Sequence, residues 1–314
     1  MTKKYMISKT SKIYLAGHTG LIGSAVLREL VNQGFKNILV KTRKELDLTN
    51  QEIVNAFFRK ERPDYVILAA AKVGGIKANI TYPADFIYEN LAIQNNVVWS
   101  SYKYQVKKLI YLACGCAYPT KAKQPIKEES LLTGVPEPTN EGFAIAKIAG
   151  IKLCEKISQQ YNKLFISCIP ANTYGIGDHY DNERSHVISA LIKKFHLAKI
   201  SKLPRVEIWG SGNALREFIY VDDIARAIII LLNKYAEKTF INIGSGEEIS
   251  IKELASLLKK IIGYQGEIVF DKAKPDGMMR RLLDTSKIRR LGFKPQVSLE
   301  NGLKKAYSYY LENI

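Results

Sequence analysis

Three glycines at three-residue intervals, set between a short apolar run and a longer one, constrain this chain more than any other feature. Ile13-Tyr14-Leu15-Ala16 reads as a short buried strand, followed by Gly17, Gly20 and Gly23. Leu21, Ile22, Ala25, Val26 and Leu30 then recur at helical spacing, and Gly34 closes the helix. Strand, glycine turn and helix in that order suit a dinucleotide pyrophosphate. The glycines permit the tight turn and a close approach of backbone, and the helix N-terminus offers free N–H groups and a partial positive charge. The spacing is G-x-x-G-x-x-G rather than G-x-G-x-x-G. Glycines also punctuate ordinary turns, so it is the flanking strand and helix that make this a nucleotide site.

The alternation continues. Strands are expected at 38–41, 65–71, 108–113 and 164–169, with helices near 51–60, 84–103 and 141–161. This predicts an α/β fold, a Rossmann-type doubly wound parallel sheet covered on both faces. After residue 172 the pattern loosens into loops rich in Gly, Pro, Asn and Asp between short elements. A helix over 221–235, a strand over 239–243 and helices over 250–263 and 300–312 follow. The expected division is interleaved: 1–172 with about 218–244 as the nucleotide domain, and 173–217 with about 245–314 as a smaller C-terminal α/β substrate-binding region.

The end of the second strand selects the cofactor. An acidic residue there grips a ribose 2′-hydroxyl, whereas this chain has Lys41-Thr42-Arg43. Arg43 suits the 2′-phosphate of NADP(H). Glu45 and Asp47 are candidates for the start of the next helix.

With 46% hydrophobic and 25% charged residues the chain reads as soluble and globular. No apolar run approaches the roughly 18 residues of a membrane span, and the basic start MTKKYMISKTSK lacks a signal peptide's apolar core. A cytoplasmic protein without membrane contact is expected. The net charge of +17 is spread along the chain without a nucleic-acid module, so it reads as a surface favouring anionic ligands rather than nucleic acid. Cys114 and Cys116 are one residue apart, which suits neither a usual disulfide nor a zinc knuckle. Together with Cys154 and Cys168 they are expected to be reduced thiols, and no metal site is expected.

The stretch from Ala113 to Lys147 is the most specific. It holds Cys114-Gly115-Cys116-Ala117-Tyr118-Pro119, then Glu137-Pro138-Thr139-Asn140-Glu141, then Ala144-Ile145-Ala146-Lys147-Ile148-Ala149-Gly150. Further motifs are Ala16-Gly17-His18, Ala69 to Gly75, Ser185-His186-Val187-Ile188, Trp209 to Gly212, Arg216-Glu217-Phe218 and Lys274-Pro275-Asp276-Gly277. In this order, over nearly the whole chain, they resemble the GDP-L-fucose synthase family of extended short-chain dehydrogenases/reductases. The resemblance implies an NADPH-dependent epimerase and reductase of a GDP-4-keto-6-deoxy sugar, hexose or heptose, feeding glycan or capsule precursor synthesis. It also implies a homodimer joined through the helices near 84–103 and 141–161.

In that family a Tyr-x-x-x-Lys pair performs the reduction: the tyrosine gives a proton to the C-4 oxygen as hydride arrives, and the lysine lowers the tyrosine pKa. Lys147 matches the lysine, but Phe143 stands at the tyrosine position and has no proton to give. Cys114 stands where the family has a carbonyl-binding serine. The phenylalanine is open to three accounts: an engineered replacement, a native change with Cys114, Tyr118, His186 or water as donor, or loss of the reductase step. The last leaves an epimerase or a nucleotide-sugar sensor. The resemblance makes Cys116 and His186 the epimerase pair, since protons beside a ketone are acidic enough for a thiolate and an imidazole to move. It places substrate on Cys116, Asn172, Lys194, Trp209, Arg216 and Asp276. Lys194 replaces a common arginine, and Trp209 suits either guanine stacking or the core. It places cofactor on Gly17, Gly20, Leu21, Ile22, Gly23, Arg43, Asp47, Leu48, Ala70, Ala71, Lys72, Leu112, Lys147, Pro170, Asn172 and His186.

Overall fold

The computed structural model describes residues 7–181, 185–274 and 276–314. Residues 1–6 of the basic start and Pro275 of the Lys274–Gly277 motif lie outside the described residues. The first part of the chain runs β1 (Ile13–Ala16), α1 (Leu21–Asn32), β2 (Ile38–Lys41), α2 (Gln51–Glu61), β3 (Tyr65–Leu68), α3 (Ile76–Thr81), α4 (Pro83–Lys103), β4 (Lys108–Leu112), α5 (Glu141–Tyr161) and β5 (Leu164–Pro170). It continues through β6 (Asn172–Tyr174), α6 (Val187–Ile200), β7 (Arg205–Trp209), β8 (Leu215–Tyr220), α7 (Val221–Lys234) and β9 (Ile241–Ile243). The last part is β10 (Glu248–Ser250), α8 (Ile251–Ile262), β11 (Glu267–Asp271), β12 (Arg280–Arg281), α9 (Ser286–Arg290) and α10 (Leu299–Glu312).

A six-stranded parallel sheet in the order β2-β1-β3-β4-β5-β9 organises the molecule. Successive side chains of a strand point to opposite faces, and the two cores follow that alternation. Ile13, Leu15, Ile67, Ile110, Ile166 and Ile241 pack with α1 and α7. Tyr14, Val66, Leu109, Tyr111 and Phe165 pack with α2, α4 and α5. Lys108 begins the buried strand β4, and its ammonium takes the carbonyls of Leu231, Leu232 and Tyr235 at the C-terminus of α7. Burial draws its pKa down to about 7. A buried chain of bonds ties the other face together: the Tyr111 hydroxyl donates to Gln94 Oε1, and Gln94 Nε2 donates to the Ala146 carbonyl.

The remaining strands form a second layer. β8 pairs with β10 and β12 along its first half and with β6 along its second. β7 and β11 make a separate parallel pair. α8 is defined at both ends by its own residues, with a Ser250–Glu253 capping box and Gly263 at φ +74°.

Three elements depart from the sequence reading. β3 stops at Leu68, and Ala69–Ala71 leave the sheet beside the glycine turn. α2 is capped by Asn50, which accepts from the Glu52 and Ile53 N–H groups, and not by Glu45 or Asp47. α6 is a helix of 14 residues where loops between short elements were expected; Ile188, Leu191, Ile192 and Phe195 form its buried stripe. The glycine- and aspartate-rich stretch before it hides that period. Among the described residues no helix is long and apolar enough to cross a membrane.

Candidate active site

The cofactor-side candidates and the cysteine turn lie at the carboxyl ends of β1, β2, β3, β4 and β5, whereas His186, Lys194, Trp209, Arg216 and Asp276 stand on or beside α6, β7, β8 and the loop before β12. Gly17 turns the chain at φ +88°, and a Cβ there would run into the backbone of Ala69 and Ala70. A Cβ on Gly23 would overlap the Gly17 carbonyl. Gly20 caps α1 with no side chain, so the first-turn N–H groups, those of Leu21, Ile22 and Gly23, are left without a side-chain cap. His18 Nδ1 is buried in the same turn with no hydrogen-bond partner among the described residues. A cradle that admits no Cβ, with uncapped donors and an orphaned buried ring nitrogen, fits a dinucleotide pyrophosphate.

At the end of β2, Glu45 accepts from the Thr42 N–H and hydroxyl and from Lys41, which together hold its carboxyl down to about 2. Arg43 is 71% exposed and reaches Glu89 of α4 at 3.3 Å. Lys72 takes the same carboxylate at 2.5 Å and Asp85 at 3.5 Å. Asp47 holds the Thr49 turn, and the Leu48 carbonyl accepts from Asn96. The Lys72 backbone is fixed on both sides by Asn90.

Lys147, 4% exposed, donates from Nζ to the Leu112 carbonyl at 3.0 Å. It lies 4.9 Å from the centre of the Tyr111 ring and 5.5 Å from that of Phe143. Burial draws its pKa down to about 7. Phe143, one turn earlier on α5, meets Phe86 edge to face at 6.1 Å. Tyr118 drops out as a proton donor: its hydroxyl is buried and donates to Asn242 Oδ1 at 2.6 Å, and burial drives its pKa far above the ordinary value.

The cysteines correct the expectation of four reduced thiols. Cys114 leaves β4 extended, and a 3-10 turn over Gly115–Ala117 folds Cys116 back toward it. Their Cα atoms stand 5.4 Å apart and the sulfurs form a disulfide, a spacing within the usual range. Sequence separation alone could not show this, because it is the turn that brings the side chains to one side. Cys154 and Cys168 are free, and burial pushes each thiol up to about 12.

His186 precedes α6 as its N-cap residue. Asp178 is buried nearby, accepting from the His179 N–H at 2.8 Å and from Ser189 Oγ at 3.1 Å. Burial raises its pKa, and the imidazole of His186 pulls it back. Pro170 ends β5. Asn172 donates to the Glu217 carbonyl at 2.9 Å and so joins β6 to β8. The Lys194 ammonium rests on the Glu207 carbonyl at the surface.

Trp209 is 64% exposed with Lys274 Nζ 5.6 Å from its ring, which rules out the core alternative. Arg216 donates to the carbonyls of Leu215 and Asp276, and Asp276 Oδ1 accepts from the Ser211 N–H at 2.7 Å. The sequence reading missed Arg281. Its Cδ lies 3.6 Å from where a Cβ on Gly115 would be, so it packs against the cysteine turn. Its Nε donates to Met278 Sδ at 3.3 Å. Burial and the charge of Arg216 pull its pKa down to about 10. Among the described residues no group of three or more His, Cys, Asp and Glu is placed to hold a metal. An open cavity of about 800 Å³ between β8, β10 and the 293–299 loop is lined by none of the site residues expected from the sequence.

Residues 13–244 match the model of the NAD dependent epimerase/dehydratase family. The chain is 52% identical to GDP-L-fucose synthase 1 of Arabidopsis thaliana, over 98% of this chain and 96% of that one. It superposes with a TM-score of 0.92 on a GDP-6-OMe-4-keto-L-xylo-heptose reductase from C. jejuni, at 41% identity and 98% and 99% coverage. A GDP-mannoheptose C4 reductase from Campylobacter jejuni, solved with NADP bound, gives 0.89 at 42% identity, with 98% and 100% coverage.

Proposed function

Because the chain belongs to the NAD dependent epimerase/dehydratase family, and is alike over nearly its full length to GDP-L-fucose synthases and GDP-heptose reductases, we propose that it is an NADP(H)-dependent GDP-sugar epimerase/reductase of nucleotide-sugar biosynthesis. Its substrate on this reading is a GDP-4-keto-6-deoxy hexose or heptose. The observation that carries it is the placement of Lys147 on the Leu112 carbonyl, at the sheet end that also bears the glycine cradle and the Cys114–Cys116 turn.

Bound NADPH supplies the hydride that arrives at C-4. With Phe143 unable to donate, the proton for the C-4 oxygen comes from Cys114, in its thiol form, at the family's serine position. An ordinary thiol titrates near 8.5 and a phenol near 10, so transfer from Cys114 to an alkoxide is downhill. Lys147 holds the ribose and places positive charge beside the oxygen. For epimerisation Cys116 takes and returns a proton on one face of the ring and His186 acts on the other, with the Asp178 carboxylate beside it. Arg216 and Arg281 grip the diphosphate, Trp209 stacks on guanine, and Lys194 adds charge at the rim. Asp276 and Asn172 keep Arg216 and β8 in place. Arg43 takes the 2′-phosphate, in exchange for Glu89.

The rest of the reading follows the same resemblance. The nucleotide is held by 1–172 with about 218–244, and the sugar by 173–217 with about 245–314. Two copies join through α4 and α5, whose outer faces expose Tyr88, Trp99 and Ile145. The enzyme works in the cytoplasm and supplies glycan or capsule precursors.

Phe143 favours one other reading, epimerisation without net reduction. Absorbance at 340 nm separates the two, with reduced protein, NADPH and a GDP-4-keto-6-deoxy sugar, this chain beside Phe143→Tyr. Oxidation by this chain at an enzymatic rate is the expected result. Oxidation by the tyrosine form alone makes the chain a disabled reductase, and silence from both overturns the substrate assignment.

A further inference from the structure

We propose that Cys114 and Cys116 are a reversible oxidation site, closed by peroxide to a disulfide that withholds both sulfurs from the sugar pocket and reopened by dithiols. The consequence for activity rests on the function proposed above; the oxidation itself does not. Three features of the site support it. The 3-10 turn sets the two Cα atoms 5.4 Å apart, within bridging range, so closure needs no movement of distant chain. Gly115 between them has no side chain, and Arg281 occupies the space beside it, with Arg216 next in line. A guanidinium-bearing side chain beside the turn steadies the hydroxide that departs when peroxide is attacked, so the thiolate fraction of Cys114 can react there while its thiol form remains the proton donor of the proposed reduction. Finally, Cys114 is half-buried and reachable, whereas Cys154 and Cys168 are fully buried, away from that charge, with their thiols held protonated.

The chemistry balances in two steps. The Cys114 thiolate attacks one oxygen of hydrogen peroxide; the O–O bond breaks, and the departing hydroxide takes a proton and leaves as water. Cys116, as thiolate, attacks the resulting sulfenic sulfur, forming the S–S bond and expelling a second hydroxide, which also leaves as water. Two thiols and one peroxide give one disulfide and two waters, with two electrons passing from sulfur to oxygen. An added dithiol reverses it by exchange, becoming a disulfide itself and restoring both protons.

Both cysteines lie in one tryptic peptide, Leu109 to Lys121, which makes the test direct. The full chain is reduced with dithiothreitol, freed of it, and treated with one equivalent of hydrogen peroxide. Free thiols are counted in denaturant and the peptide is weighed. The expected count falls from four to two, the peptide loses two hydrogens, and dithiothreitol restores both. Cys114→Ser and Cys116→Ser each retain the hydrogens. A peptide that stays open, or that gains oxygens at either cysteine instead of closing, overturns the proposal. NADPH oxidation with a GDP-4-keto sugar should drop at least tenfold on closure and recover on reduction; a closed peptide with unchanged activity overturns the withholding of the sulfurs. A reduced enzyme inactive on every such sugar would instead defeat the proposed function, and the mass of the peptide would still decide the oxidation site.

Discussion

At Arg281 a guanidinium lies against a turn of small residues, with a methionine sulfur on Nε and the charge of Arg216 nearby. Two half-buried like charges near one another are costly unless an anion joins them, and a diphosphate is such an anion. Arg281→Met should therefore weaken GDP binding about 10- to 100-fold, the loss of one charge-assisted contact, as measured by calorimetric titration; unchanged affinity would make Arg281 structural. Glu217 shows a different use of burial. Its carboxylate accepts from the Gly246 and Leu283 N–H groups, yet burial dominates and raises its pKa to about 6. The folded state then holds a proton that the unfolded state has released, so stability is lost as pH rises from the ordinary carboxylate value through 6. The size is about 2 kcal/mol, and Glu217→Gln should flatten that limb of a melting-temperature profile between pH 4 and 7. Such residues are only half legible in the sequence. Gly17, Lys147 and Arg216 can be read because a motif fixes what surrounds them. Arg281 is one of 47 basic residues, and only the fold separates it from Arg280, which is spent on Glu248.

Among elements, β4 carries the most. Its first residue, Lys108, closes the C-terminus of α7, Tyr111 on the same strand is locked to α4 and α5 through Gln94, and its last carbonyl seats Lys147. One strand thus fixes a helix on each face and the lysine of the site. Lys108→Met keeps the apolar stem and leaves the terminal carbonyls of α7 without their donor. We expect a loss of about 2–4 kcal/mol from unpaired buried acceptors, read as a lower urea midpoint at unchanged slope; a midpoint within experimental error of the parent would show that water replaces the ammonium. The elements of the sheet are legible because parallel strands buried on both faces are written as unbroken apolar runs. α6 is not, since its buried stripe follows directly on polar turns, and the Cys114–Cys116 turn is not, since nothing local marks a 3-10 turn of three small residues.

For the molecule as a whole, the exposed apolar face of α4 and α5, with Tyr88, Trp99 and Ile145, is a feature that the monomer leaves unexplained. Tyr88 and Trp99 stand three turns apart on one side of α4, 71% and 44% exposed. Burial of such rings contributes about 1.5–3 kcal/mol each, and a two-fold contact would count each ring twice against the cost of association. Sizing at micromolar concentration should give a dimer, and Trp99→Glu a monomer; a parent chain that elutes as a monomer removes the dimer from the reading. The threading of the chain has a separate consequence. It leaves the six-stranded sheet after β5, returns through α7 to lay down β9, and leaves again. A single crossover between two relatives would therefore split a sheet whose strands come from both sides of the break. Exchange of everything outside that sheet would need junctions near Asn172, Glu217 and Gly244 at once, so a chain threaded this way is far more readily altered by side-chain changes in place than by swapping a contiguous piece.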